Sequence, residues 1–344
     1  MFNCSFHRNK VYDSSSSSGG GAFYIQGSTS STATFNHCTF EDNTSAKNGG
    51  AMYLKGSQST SSSRISVAMS SFTGNYADYE GGAIYIEEAY ADVSSSAFTG
   101  NSHGDLAFDG GGAIYAYSDD SDVNSTLKNC NFTNNRSPMF GGALYVKSVA
   151  LALQKLVLEK NEALKGGAIY VQEDYGTGLE LKDSIIVGNE AQEQGGALYL
   201  DATQGAALSN SRLALNSATL AGGALFSSKA SITVQDSEFY GNKAKLGGAL
   251  YLEESSTINA TDTQYTSNEA ENGGVLFADT SSSVFDQRGT FRGNLASKGN
   301  AGVFFVLNGI LTIVDGYFEG CKATKGAGGA VYAEAAALRV ANTS

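Results

Sequence analysis

The sequence predicts an all-β molecule, a right-handed single-stranded parallel β-helix (a solenoid) of about 12 coils, on three observations. Two short motifs alternate along the whole chain, paired glycines recur at a fixed place in one of them, and the residues after each pair alternate with a period of two. A single coil of such a repeat cannot bury its own apolar face, so the coils must stack and share a core.

The first motif is an aromatic or aliphatic residue followed at the third position by Asn. It occurs at Phe6/Asn9, Phe40/Asn43, Phe72/Asn75, Phe98/Asn101, Phe132/Asn135, Leu158/Asn161, Leu213/Asn216, Phe239/Asn242, Tyr265/Asn268 and Phe291/Asn294. Ile186/Asn189 reads as a further copy with a one-residue slip, and Phe318/Cys321 departs at its last position. Asn tolerates a left-handed corner, and amides stacked in register form a hydrogen-bonded ladder, so this column is expected to be structural.

The second motif is Gly-Gly-Ala, an aliphatic and then an aromatic residue, as in Gly81-Gly82-Ala83-Ile84-Tyr85. Its second glycine runs from Gly21 to Gly329 at a mean step of 28 residues, and 23 of the 42 glycines belong to these pairs. After the pair, Ile84 and Ile86, Leu144 and Val146, Leu198 and Leu200 share one parity, and polar Glu87, Lys147 and Asp201 share the other. That alternation is a strand with one buried face, and paired glycines mark a corner needing positive φ or close backbone approach. A third, variable strand is expected in segments such as 231–234.

The aromatic residue of the second motif has the outward parity. Tyr24, Tyr53, Tyr85, Tyr115, Tyr145, Tyr170, Tyr199 and Tyr251, with Phe226, Phe277, Phe305 and Tyr332, are therefore expected to line one outer edge. Half-exposed rings in a row either protect the sheet or bind glycans or a protein surface.

Several local features bear on chemistry. Coil one carries ten residues between Asn9 and Gly20, and coil four nine between Asn101 and Gly111. Near the second insertion lie Asp105, Asp109, Asp119, Asp120 and Asp122, with His103, either a solvated acidic loop or a set of hard oxygen ligands for Ca²⁺. No other cofactor is indicated. Cys4 and Cys38 both precede a motif Phe by two residues, so they stack in adjacent coils at a spacing that permits a disulfide, in a strained geometry. Cys130 and Cys321 read as buried free thiols. Among the Asn-x-Ser/Thr sites, Asn43 and Asn135 belong to the Asn column, and Asn124 and Asn259 are the expected exposed acceptors of a glycoprotein.

A net charge of −12 repels a phosphate backbone and argues against nucleic acid as a partner. No apolar run is long enough for a transmembrane helix, so no membrane insertion by this segment is expected. Polysaccharide lyases and hydrolases need grouped carboxylates or a base beside bound acids. The arginines scatter among coils, and His7, His37 and His103 form no evident nucleophile constellation with a serine. The expectation is a protein that is not an enzyme, with a polysaccharide-binding or polysaccharide-cleaving β-helix as the alternative. Thr residues do not align from coil to coil as an ice-binding face would require.

The alternation of Phe-x-x-Asn with Gly-Gly-Ala-Ile/Leu resembles the repeats of the chlamydial polymorphic outer-membrane proteins, and similar repeats occur in large surface proteins of protists and algae. The resemblance covers essentially the entire chain, with local losses at Ala301-Gly302-Val303 and at Cys321. It implies an extracellular or cell-surface scaffold or adhesin, secreted or held at the cell surface, whose partners are other surface or filament proteins, copies of itself, or glycans. The whole of 1–344 reads as one solenoid domain, a fragment of a longer chain because neither end carries a polar cap.

Overall fold

Each coil begins from a stretch too short and too regularly interrupted to be anything but a strand. In Arg64–Ala68 the side chains of Ile65 and Val67 are buried while Arg64, Ser66 and Ala68 face outward, so a shift of one residue would turn the apolar pair to water. The computed structural model describes residues 1–12, 19–27, 32–56, 63–106, 108–119, 123–172 and 178–344. It is all-β and contains no helix among these residues. The chain divides into two compact units, Met1–Leu179 and Glu180–Ser344.

In the unit Met1–Leu179 the chain winds through three parallel sheets. Aromatic strands run from Ser5–His7 to Val157–Glu159, glycine strands from Phe23–Gln26 to Ile169–Gln172, and third strands from Thr32–Asn36 to Ala150–Gln154. Pairing is parallel and in register, with like residues opposed: Phe72 pairs Phe98, Tyr85 pairs Tyr115 and Val67 pairs Val93. Short strands such as Tyr76–Ala77 and Ser102–His103 make a fourth side. The unit Glu180–Ser344 repeats the plan, with aromatic strands from Ile185–Val187 to Tyr317–Glu319 and glycine strands from Leu198–Asp201 to Val331–Glu334. Its third strands include Ser231–Gln235, where the variable strand was expected. Ile186 pairs Leu213 directly, so that copy of the motif carries no slip.

The core follows from register. Phe40, Phe72, Phe98 and Phe132 stack with ring centroids 4.6–4.7 Å apart, and Tyr265, Phe291 and Phe318 do so at 4.6–5.0 Å in the other unit. These spacings are the distance between hydrogen-bonded strands, so stacking needs no adjustment of the backbone.

The corners differ from expectation in one respect. The first glycine of each pair has positive φ, as at Gly81 (φ 68°), and the second packs so closely that a Cβ on Gly82 would lie 2.1 Å from the Gly112 carbonyl oxygen. At the other motif, however, the left-handed residue is the one before the Asn: Asp42, Gly74, Gly100 and Asn134 have φ between 53° and 62°. The Asn side chain is thereby free to turn inward. A third left-handed corner, unforeseen, precedes each aromatic strand, at Met69, Ser95, Asn129, Asn210 and Asp236 among others.

Candidate functional site

The Asn column is the most completely satisfied part of the molecule. Asn75 Nδ2 donates to Asn101 Oδ1 at 2.9 Å and to the Phe40 carbonyl at 3.0 Å, and the Asn75 backbone N–H donates to the same Asn101 Oδ1 at 3.0 Å. Both amide hydrogens and both lone pairs of such a side chain are then used, which is the full capacity of the group. The same donations recur at Asn43, Asn101 and Asn135 in the first unit and at Asn216, Asn242 and Asn268 in the second, while Asn9 and Asn189 donate to the next Asn oxygen and Asn161 to the Phe132 carbonyl. Asn294 donates instead to Cys321 Sγ at 3.7 Å. From Asn43 to Asn294 these side chains are buried, Asn43 and Asn135 included.

The tyrosine column forms, but it is not an exposed edge. Centroids are 4.8 Å apart between Tyr53 and Tyr85 and between Tyr85 and Tyr115, and 5.1 Å between Phe226 and Tyr251. Tyr24 is 42% exposed, whereas Tyr53, Tyr85, Tyr115, Tyr145, Tyr170, Tyr199 and Tyr251 are all 9% or less. Parity sets direction, not exposure. Each ring covers the next, and side chains beyond the sheet close the edges: Phe140 stacks on Tyr170 at 4.7 Å, Tyr53 donates to Glu87 Oε2 at 2.5 Å, Tyr115 to Asp109 Oδ2 at 3.1 Å and Tyr145 to Gln172 Oε1 at 2.8 Å. Burial, reinforced by Glu87 at Tyr53, pushes the phenols of Tyr53, Tyr85 and Tyr115 well above their usual range. The column is a structural seam over these seven buried tyrosines, and of its eight tyrosines from Tyr24 to Tyr251 only Tyr24 is exposed to solvent.

Of the acidic residues of coil four, Asp105, Asp109 and Asp119 do not converge. Asp109 accepts from Tyr115, Asp119 accepts from Tyr117, and Asp105 is exposed. Among the described residues no group of His, Cys, Asp and Glu could hold a metal ion, and Asp120 and Asp122 lie outside those residues. The loop does present Leu106 and Phe108 to solvent, the latter 84% exposed. Asn124 and Asn259 are exposed on the outer faces of their strands.

His103 has a serine partner that the sequence did not disclose. Its Nδ1 lies 3.0 Å from the Gly104 carbonyl and therefore carries the proton, so Nε2 accepts from Ser137 Oγ at 2.8 Å. Ser137 also accepts the Met139 N–H at 3.2 Å and is 2% exposed. The pair is thus an interior hydrogen bond in the place of the small residues Ala77 and Ala163. Desolvation pushes the imidazole down to about 4, with Arg136 in the same direction and the Gly104 carbonyl and Asp105 opposing.

A second buried column was missed altogether. Ser70 Oγ accepts the Cys38 N–H at 3.0 Å, and Ser96 Oγ accepts the Ser70 N–H at 3.1 Å. In the other unit Ser184, Ser211 and Ser237 repeat this. The signal was present as Ser two residues before the motif aromatic. All four cysteines are free thiols; Cys130 is buried as expected, but Cys321, at an Asn position of the repeat, is half-buried.

The exposed relief consists of shallow grooves along the corners. One, of about 700 Å³, has Ser184, Ser211 and Ser237 beside Arg212 and Glu238; another, of about 460 Å³, runs past His37, Ser70 and Asn129. Charges on the outer rows pair from coil to coil: Lys55 with Glu87 at 2.6 Å, Arg212 with Glu238 at 2.7 Å, Lys298 with Glu271 at 2.6 Å, and Arg288 with Asp262 through two bonds.

Comparison with known proteins agrees with this architecture. Three copies of the Chlamydia polymorphic membrane protein repeat match residues 37–53, 70–87 and 129–147, each spanning parts of the columns just described. No curated protein and no solved structure matches the chain. The model of the right-handed β-helix region matches residues 167–344, more than half of the sequence, and the chain belongs to the right-handed β-helix family.

Proposed function

We propose that the chain is an extracellular or cell-surface scaffold that works by binding along its sides, in attachment or in the assembly of a surface layer, and not by catalytic turnover. The observation that carries this reading is the presence of the polymorphic membrane protein repeats in a body whose interior columns are all committed to holding coils together. What is left for partners is the outer rows. In the unit Glu180–Ser344 these include Asn259, Phe285 and Ile310 on neighbouring third strands, the last two 36% and 52% exposed. Apolar groups set among hydroxyls and amides suit another surface or filament protein, or a second copy of this chain, better than a bare carbohydrate.

Labelling intact cells of the source organism with a membrane-impermeant amine reagent tests location, with Lys55, Lys147 and Lys298 as reporters. Labelling before lysis is expected. Labelling that needs lysis would remove the surface assignment. Attachment is tested with beads carrying the purified chain or its Phe285→Ser/Ile310→Ser variant; equal retention on the cell surface by both would exclude this face.

A further inference from the structure

We propose that Cys4 and Cys38 close into a reversible disulfide that staples the first coil to the second. Pairing is constant through this region: Phe2 lies opposite Asn36 and Ser5 opposite Thr39, so Cys4 faces Cys38. The Thr39 N–H donates to the Cys4 carbonyl at 2.8 Å, which holds the two backbones at the separation of neighbouring strands, about 4.8 Å, inside the span a disulfide bridges.

The side chains are also aligned. Cys4 Sγ donates to the Phe2 carbonyl at 3.3 Å and Cys38 Sγ to the Asn36 carbonyl at 3.5 Å, each to the residue two before it. The two thiols therefore point the same way in one column, and joining them gives up only weak S–H contacts, these two and one from Cys38 Sγ to the Met1 carbonyl at 3.8 Å. No other cysteine has this relation: Cys130 stands opposite Leu156, whose neighbour Val157 pairs Asn131, and Cys321 takes an Asn position.

Chemistry and exposure set the order of events. Cys4 is half-buried and Cys38 is 1% exposed, so Cys4 meets the oxidant first. With oxidised glutathione, the Cys4 thiolate attacks one sulfur, the glutathione S–S bond breaks and one glutathione thiolate leaves. The Cys38 thiolate then attacks Cys4 Sγ, forming the Sγ–Sγ bond and releasing the second glutathione. Two protein thiols lose two protons and two electrons, and the glutathione disulfide gains them. Side-by-side parallel strands strain the product, which makes it easily reduced and hence switchable.

The test uses the full chain with oxidised glutathione, then denaturation and alkylation. The reduced chain presents four thiols. Oxidation should leave two, with a peptide containing Cys4 joined to one containing Cys38. Amide exchange in Ser5–His7 should slow by at least about threefold, and a reductant should reverse it. Ser is the column's own residue at 70 and 96, so Cys4→Ser and Cys38→Ser should fold, and both should make exchange indifferent to oxidant. Four alkylatable thiols after oxidation, glutathione retained on Cys4 without closure, or a bond to Cys130, Cys321 or a second chain would each overturn the proposal.

Discussion

A single Asn in the buried column ties together four hydrogen-bonding groups on its two neighbouring coils. Replacing Asn101 by Ala strands the Asn75 N–H, one hydrogen of the Asn75 side-chain amide and the Phe72 carbonyl, all away from water, and leaves the Asn135 oxygen with the backbone N–H of residue 101 alone. At about 1–3 kcal/mol for each buried group left without a partner, partly relieved by relaxation, the expected loss is about 4 kcal/mol in denaturant unfolding. Asn101→Asp removes the donors and sets a carboxylate against Asn135 Oδ1, so its loss should be larger at pH 7 than at pH 3. Equal stability of Asn101→Ala and the parent would mean that the column is not what holds these coils. The residue scale also contains one flaw that can be repaired. Ala301 holds the first-glycine position with φ 62°, a conformation that costs an L side chain about 1–2 kcal/mol, so Ala301→Gly should raise stability by about 1 kcal/mol after its greater unfolded-state entropy is counted. Thermal unfolding of the two proteins decides it.

At the scale of the element, position within the coil matters more than residue type. Gly82 and Gly100 are both corner glycines, yet a Cβ on Gly82 meets the Gly112 and Ser102 carbonyl oxygens at 2.1 and 2.5 Å, while one on Gly100 meets nothing within 4 Å. Gly100→Ala should therefore cost about 1 kcal/mol for its left-handed backbone, whereas Gly82→Ala must push two coils apart and should cost several-fold more. Parallel urea titrations with similar midpoints would refute the close-approach account. The same contrast explains what could be read in the sequence. Strands, the glycine corners and the Asn ladder were legible because each follows from local geometry repeated at the same phase. Burial of the tyrosines was not, because it depends on Phe140 and Asp109, which lie between the motifs with no fixed phase, and on Glu87 and Gln172, whose place at the end of the glycine strand is fixed but whose residue type changes from coil to coil. The serine column escaped notice because Ser is frequent in this chain, and Ser70 means little until Ser96 is seen to accept its N–H. The segment Ser283–Gln287 shows register overruling hydropathy: Phe285 is turned outward and Asp286 inward, opposite Ala260 and Ile313, since its neighbours determine the pairing.

For the whole molecule, the buried side chains of Asp286 and His103 give the units opposite responses to pH. In Glu180–Ser344, Asp286 has one carboxyl oxygen without a partner in an otherwise aliphatic column, and burial pushes its carboxyl up to about 7, the Gly289 N–H opposing. In Met1–Leu179, burial pushes His103 down to about 4. An acid with a raised folded value binds its proton more tightly when folded, so its unit is most stable below the unfolded value of about 3.8 and loses stability as pH rises through 7. A histidine with a lowered folded value binds its proton more tightly when unfolded, so its unit is most stable above about 6.5 and loses stability as pH falls through 4. Between pH 4 and 6.5 the two slopes oppose, each up to about 1.4 kcal/mol per pH unit at full effect. Amide exchange read unit by unit should show the aromatic strands Ala97–Thr99 and Asn131–Thr133 opening more readily toward pH 4, and Thr290–Arg292 more readily toward pH 7.5, after correction for intrinsic exchange. Asp286→Val fits the aliphatic column and should flatten the second response alone; His103→Ala matches Ala77 and Ala163 and should flatten the first alone. If either variant alters both responses, or exchange in the two regions moves in the same direction with pH, buried charge at these two positions is not the cause.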